Sequence, residues 1–370
     1  MLTTKWVDNI EWSVLSSFLD ELCPTNSGPF LTSHFLQSWV ISKQASLCAF
    51  VLFEDEKPVC MVLIGRQTKR KFGFKINVAV LNQAGNAIDD QIWIEYNSLI
   101  GNSQYHSIFF NELINALANR KFDMLSVSMS EGDHNYISQH QQRYINKHTI
   151  LGYTTQLNRH TTQASLTEKL SANSRSKVRR SERKLRERFG ELRIEVADND
   201  EQRHAFFNDL SKIHIARWGS TPEGSGFENS VFLKTIKKLA FEHYEFTDIA
   251  KVTAGEFVLG YTLNFIFNDT VYFYCSGINN ILNDKHIKPG YTMHLHLMAY
   301  YAALGYRQYD FMGGDSQYKR TLADKTVEFN SVSLTLDTLT GRAIRAANKL
   351  VKGFRKFKAL LKPSLGSHQQ

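Results

Sequence analysis

Between Thr270 and Lys319 the chain sets a helix start beside two strand ends, and this order constrains the fold more than any other stretch. Thr-Val-Tyr-Phe-Tyr-Cys-Ser-Gly, from 270 to 277, alternates around aromatic residues and reads as a strand. A polar loop over 278–288 follows. Pro289-Gly290 then opens a helix running to Leu304, with Gly305 just past its end. Proline in a first turn and glycine after a last turn are the expected punctuation. A strand at 308–312 runs into Gly313-Gly314-Asp315. The backbone N–H groups of Gly290, Tyr291 and Thr292 have no partner inside their own helix, so they form an anion site. Gly290 has no side chain to block close approach.

The remaining pattern is mixed α/β. Helical spacing covers 9–22, 30–42 (after a turn), 107–119, 200–218 and 230–244. Strand-like runs cover 46–54, 58–67, 74–81, 122–128 and 257–267. Residues 169–188 hold nine Lys or Arg against Glu182 and Glu187, and read as an exposed helix beginning near Ser174. Two halves of similar size, 1–165 and 166–337, suggest a duplicated fold without a clear internal sequence repeat. A third segment, 338–370, stands apart. Its Ile344, Ala347, Val351, Phe354, Phe357 and Leu361 share one helical face beside Arg345, Lys349, Lys352 and Lys356, which makes a basic amphipathic helix.

Charge matters here through its location. The net charge is +8, but Arg342–Lys362 carries eight basic residues and no acid. The body of the chain is therefore balanced, and a general nucleic-acid role does not follow. The N-terminus has no apolar core of a signal peptide, and no run is long enough to span a bilayer. Cys23, Cys48, Cys60 and Cys275 are too scattered for a zinc site or a disulfide framework, so reduced thiols in the cytoplasm are expected. His286, His294 and His296 lack metal-ligand spacing, and no metal is expected.

Taken together, several motifs resemble the Fem-like branch of the GNAT acyltransferases, the group often labelled cellulose-biosynthesis-type acetyltransferases. They are Phe30-x-x-Ser33 with Trp39, Glu95-Tyr96-x-x-Leu99, Asn173-Ser174-Arg175-x-x-Val178-Arg179-Arg180, and Leu210-x-x-x-His214-x-x-Arg217-Trp218. The series continues with Tyr272-x-Tyr274-x-Ser276-Gly277, Lys288-Pro289-Gly290, and Tyr309 to Arg320. The likeness covers about 25–335. Gly313 stands where the family usually has Arg, and Gln317 where Pro is common. The loop Ile287-Lys288-Pro289-Gly290-Tyr291-Thr292 departs at both ends from the usual Gln/Arg-x-x-Gly-x-Gly/Ala.

The resemblance implies tandem GNAT-like domains and transfer of an acyl group from acyl-CoA to an amine. It places the donor phosphates at Lys288, Gly290, Tyr291 and Thr292. The acceptor it implies is an amino group on a sugar-containing envelope or polysaccharide precursor. Asp315 is the candidate base or a grip for a sugar hydroxyl, with a helix N-cap as its plain alternative. Tyr318 is a candidate proton donor to the leaving thiolate, Lys319 a neutraliser of phosphate charge, and His214 the residue with a near-neutral pKa. Arg175, Arg179, Arg217, Trp218, Tyr274, Glu95 and Tyr96 are candidate substrate contacts. Residues 341–362 are a candidate contact with an anionic membrane surface, and the location is expected to be cytoplasmic, at the inner face. Two other readings stay open: an aminoacyl-tRNA donor engaging the 169–188 cluster, and a non-catalytic binding protein on the same scaffold.

Overall fold

The computed structural model describes residues 1–22, 28–279 and 284–360, with side chains up to 353. Cys23 and the end of the expected tail, 361–370, lie outside the described residues, as does the middle of the 278–288 loop.

The first half runs β1 (Leu2–Val7), α1 (Trp12–Glu21), α2 (Ser33–Ser42), β2 (Cys48–Glu54), β3 (Lys57–Lys71), β4 (Phe74–Leu81), a short α3 (Ala87–Asp90), β5 (Ile100–Gly101), α4 (His106–Asn119), β6 (Met124–Glu131), α5 (Asn135–Ser138) and β7 (Tyr144–Gln156). Two linking helices follow, α6 (Gln163–Glu168) and α7 (Ala172–Phe189). The second half runs β8 (Leu192–Val196), α8 (Asp200–Trp218), α9 (Ser230–Glu242), β9 (Thr247–Ala254), β10 (Phe257–Phe267), β11 (Thr270–Ile278), α10 (Pro289–Ala303), β12 (Gln308–Gly313), α11 (Gln317–Leu322) and β13 (Lys325–Thr335). The last helix is α12 (Leu339–Leu360).

The halves repeat one plan: a strand, two helices, three antiparallel strands, a crossover helix, a parallel strand, a short helix and a final strand. One sheet contains them all, in the order β1-β2-β3-β4-β6-β13-β7-β12-β11-β10-β9-β8, with β5 beside β3. The order is symmetric about its centre. β4 pairs parallel with β6, as β11 does with β12. The last strands are exchanged: β13 pairs with β6 of the first half, and β7 with β12 of the second. The duplication expected from the sequence is therefore built as two interlocked halves. The boundary expected at 165/166 falls inside α6.

Helices cover the sheet through apolar faces. α4 buries Phe109, Phe110, Leu113, Ile114 and Leu117, and α9 buries Val231, Phe232, Ile236, Leu239 and Ala240. Both sets follow the i, i+4 stripe of an amphipathic helix. Six strands were not legible in the sequence, β1, β5, β7, β8, β9 and β13. β7 and β13 are rich in Thr, Ser, Asn and Lys and pair only with partners far away in the chain.

The segment expected to stand apart does not. α12 buries Ile344 completely, in a cluster with Ile76, Val78, Met124 and Ile145. Arg342 donates to Asp337 at 2.8 Å. Part of the expected membrane-facing stripe is thus used to dock the helix on the sheet. Ile344→Ala should lower unfolding stability by about 2–4 kcal/mol through the cavity it leaves, measured by denaturant titration. A chain ending at residue 340 should lose the same contact, and a chain ending at Gly353 should keep it.

Candidate functional site

The site lies where β11 and β12 part. Their parallel pairing holds only from Thr270↔Gln308 to Tyr272↔Asp310. Beyond it, β12 turns toward β7 through an irregularity between Asp310 and Gly313. Met312 sits there with φ 61°, and Gly314 follows with φ 99°. A left-handed Met is costly and must be held by its surroundings. The holder is Asp310, whose carboxylate accepts from the Met312 N–H at 2.6 Å. Tyr96 donates its hydroxyl to the other oxygen of Asp310. Beyond Tyr272, the backbone groups of β11 that would otherwise meet β12 face the resulting cleft.

The Gly313 peptide is gripped from both sides. Its N–H donates to Glu95 Oε2 at 2.7 Å, and its carbonyl accepts from Lys319 Nζ at 2.7 Å. A β-carbon at 313 would stand 3.1 Å from Glu95 Oε2 and 2.7 Å from the Met129 methyl. Glu95 enters from the first half and Lys319 from α11 of the second, so this constellation exists only once the halves are joined. Desolvation raises Glu95 to about 7, with Asp310 adding to the rise while the Gly313 N–H and Lys319 oppose it. Desolvation lowers Lys319, and Glu95 and Asp310 oppose that. Desolvation also raises Asp310, to about 6. Burial thus drives acid and base alike toward their neutral forms.

A cavity of about 630 Å³ opens from this point, lined by residues from β11, α8, the start of α10 and the 314–319 turn. Among its walls are the expected residues His214, Arg217, Trp218, Tyr274, Lys288, Gly290, Tyr291, Asp315, Tyr318 and Lys319. Glu95 lines a smaller space of about 150 Å³ that shares Trp93, Phe273, Tyr274 and Lys319 with the large one. Tyr96 lies behind, on Asp310. Thr292 is buried with its hydroxyl 3.3 Å from Ser181 Oγ, and its N–H bonds Lys288 O. It is therefore not a free donor, and the first turn of α10 offers the N–H groups of Gly290 and Tyr291.

Asp315 sits at the exposed rim. It accepts from Tyr153 Oη at 2.7 Å and pairs with Arg320. The Tyr153 bond, with Arg320 beside it, holds its carboxyl below the ordinary range. The N-cap of α11 is Ser316, so the helix-cap alternative for Asp315 is corrected. His214 is pushed down to about 4 by desolvation and then by Arg217, and its Nδ1 lies 2.9 Å from Ser225 Oγ. A neutral imidazole follows at pH 7. The Tyr318 ring stacks on His294, 5.1 Å between centroids and 3° between planes. Desolvation raises its hydroxyl to about 12, so it keeps its proton. Tyr274 is anchored by its hydroxyl donating to Ile92 O at 2.9 Å.

The basic helix α7 presents a different face from the one expected. Arg175 and Arg179 both turn to Glu168. Lys177 and Arg180 instead border a cavity of about 420 Å³ together with Lys285, His286 and Lys288. α7 is fixed there because Ser181 Oγ accepts from the Lys288 N–H at 2.7 Å. Lys177, Arg180 and Asp310 are candidate site residues that the sequence analysis did not single out. An acid inside an apolar strand was a signal for Asp310. Which turn of α7 faces inward had no such signal. His286, His294 and His296 approach three different partners, Arg180, Tyr309 and Glu182.

A two-half sheet split at a helix start, with basic groups beyond it, defines a tandem GNAT-type acyl-transfer fold. Residues 172–320 match the acetyltransferase (GNAT) domain family. No curated protein sequence matches the chain. Among solved structures, the crystal structure of FemX is 11% identical, with 88% of this chain and 96% of that chain covered at a TM-score of 0.52. A conserved protein of unknown function from Bacteroides thetaiotaomicron gives 11%, 90%, 100% and 0.53 for the same measures. L-PGS from Bacillus licheniformis gives 10%, 94%, 97% and 0.50. Residues 172–320 thus carry the likeness to an acetyltransferase (GNAT) domain, and the whole chain shares the fold of these solved structures.

Tyr96→Phe should leave a buried Asp310 oxygen without its donor and cost about 1–3 kcal/mol of stability, read by chemical denaturation. Lys177→Ala with Arg180→Ala should weaken CoA binding about tenfold or more, the loss expected for charge-assisted phosphate contacts. Arg175→Ala with Arg179→Ala should change it little, and calorimetry would separate the two.

Proposed function

We propose that the protein transfers an acyl group from acyl-CoA to an amine on a sugar-containing precursor of the cell envelope or of a polysaccharide. The observation that carries this reading is the desolvated Glu95 carboxyl at the strand divergence, which shares the Gly313 peptide with Lys319 and lines the small space beside the cavity. A base with a pKa near working pH is suited to take the proton of an attacking amine. Backbone N–H groups on the freed edge of β11 would stabilise the tetrahedral oxyanion. Tyr318, protonated at neutral pH, would give its proton to the leaving thiolate. The α10 start would hold the donor pyrophosphate, with Lys177, Arg180 and Lys288 balancing its charge. Trp93 and Trp218 stay 46% and 39% exposed, and both line the cavity, where flat apolar faces would suit sugar rings. Asp315 at the rim serves the acceptor by gripping a hydroxyl rather than by taking the proton.

The test is thiol release from acetyl-CoA and longer acyl-CoAs with amino-sugar nucleotides, with charged tRNA as an alternative donor. Turnover with acyl-CoA supports the reading. Turnover with charged tRNA alone replaces the donor, and no turnover with any bound donor overturns it. Glu95→Gln should lower kcat by about a hundred- to ten-thousandfold. Because the base acts deprotonated, kcat/KM should rise with pH through about 7, and that limb should vanish in Glu95→Gln. Asp315→Asn should raise the acceptor KM with kcat nearly kept. The opposite pattern in the two variants would assign the base to Asp315.

A peripheral contact with anionic lipid is proposed for α12, whose Lys349, Leu350 and Lys352 face solvent. No helix among the described residues is long and apolar enough to cross a membrane. Lys349→Glu with Lys352→Glu should weaken cosedimentation with anionic vesicles and keep soluble turnover.

A further inference from the structure

Away from the cleft, α2 of the first half packs against α9 of the second. His34 is the second residue of α2, His243 caps the C-terminus of α9, and Glu245 lies two residues on. One ring nitrogen from each histidine and one carboxylate oxygen of Glu245 all lie within 4.8 Å of one another. His34 Nε2 is 3.1 Å from Glu245 Oε1, and the two imidazole centroids are 4.9 Å apart. The Nε2 of His243 is buried and has no hydrogen-bond partner among the described residues. A buried ring nitrogen without a partner calls for an explanation, and an ion held there is one.

We infer that His34, His243 and Glu245 form a site for a divalent transition-metal ion of the zinc class. Two imidazole nitrogens and one carboxylate suit zinc, cobalt or nickel, whereas magnesium and calcium take oxygen ligands. Metal–ligand distances of about 2.0–2.2 Å in tetrahedral geometry put donor atoms roughly 3.3 Å apart. The His34–Glu245 pair already meets that spacing. The widest separation must close by about 1.5 Å, which side-chain rotation at the partly exposed His34 and the exposed Glu245 supplies. Their exposure, 39% and 66%, leaves a path for the ion and a fourth position for water. A bound ion would tie α2 to the end of α9 and so staple the two halves. Residue spacing carries no signal for it, because His34 stands more than two hundred residues from its partners.

The untagged full chain, stripped with a chelator, would be titrated with cobalt(II) and with zinc(II). One ion per chain, a four-coordinate cobalt absorption band and a raised thermal midpoint are the expected results. Glu245→Gln, at an exposed position that leaves packing intact, and His243→Ala should each weaken binding by more than about tenfold, since even outer-shell changes at metal sites reach that size. Turnover measured without metal should be unchanged in Glu245→Gln. No stoichiometric binding by the parent chain, or binding that survives both substitutions, would overturn the assignment.

Discussion

Strands β7 and β13 lie side by side at the middle of the sheet, each paired on its far side with a strand of the other half. This exchange is the constraint on which the rest depends. Two GNAT-like units placed next to each other would each close their own sheet. Here the sheet cannot be completed on either side without the other half's last strand. Backbone groups in a sheet centre must be paired, so the two halves are held in a fixed relation. That relation brings Glu95 of the first half against the β12 bulge of the second.

The cleft follows from this meeting. Asp310 keeps Met312 in a conformation that ends the β11–β12 pairing, and Tyr96 steadies Asp310 from the first half. Once the strands diverge, Glu95 and Lys319 hold the two ends of the Gly313 peptide. Glu95 faces the Gly313 N–H and Lys319, which both favour its carboxylate, and desolvation outweighs them, which leaves the carboxyl titrating near neutrality. Asp315, two residues further along and exposed, experiences the reverse: hydrogen bonding to Tyr153 and Arg320 dominates, and its pKa falls.

Much of the second half was legible from residue pattern. The helix at 200–218 and the strand at 257–267 match their observed limits. So does the strand at 74–81 in the first half. These elements carry their own caps, turns and apolar periodicity. The turn at 313–319 and the start of α10 were also recognisable, because glycine and proline mark backbone geometry locally. α12 was legible as a helix but not as a docked one: its stripe of Ile344, Ala347 and Val351 does not say whether it meets lipid or protein.

The sequence by itself determined the α/β class, the position of most helices, and the region of the second half that bears the cleft. It could do so because these depend on contacts within a few residues of one another. Tertiary structure alone decided the strand exchange, the partnership of Glu95 with Lys319, and the inward face of α7. Those depend on neighbours that are distant in the chain, such as Gly313 above Glu95 and Ser181 beneath Lys288. A carboxyl's pKa is set by burial and by the charges around it, and neither is written in the residues next to it.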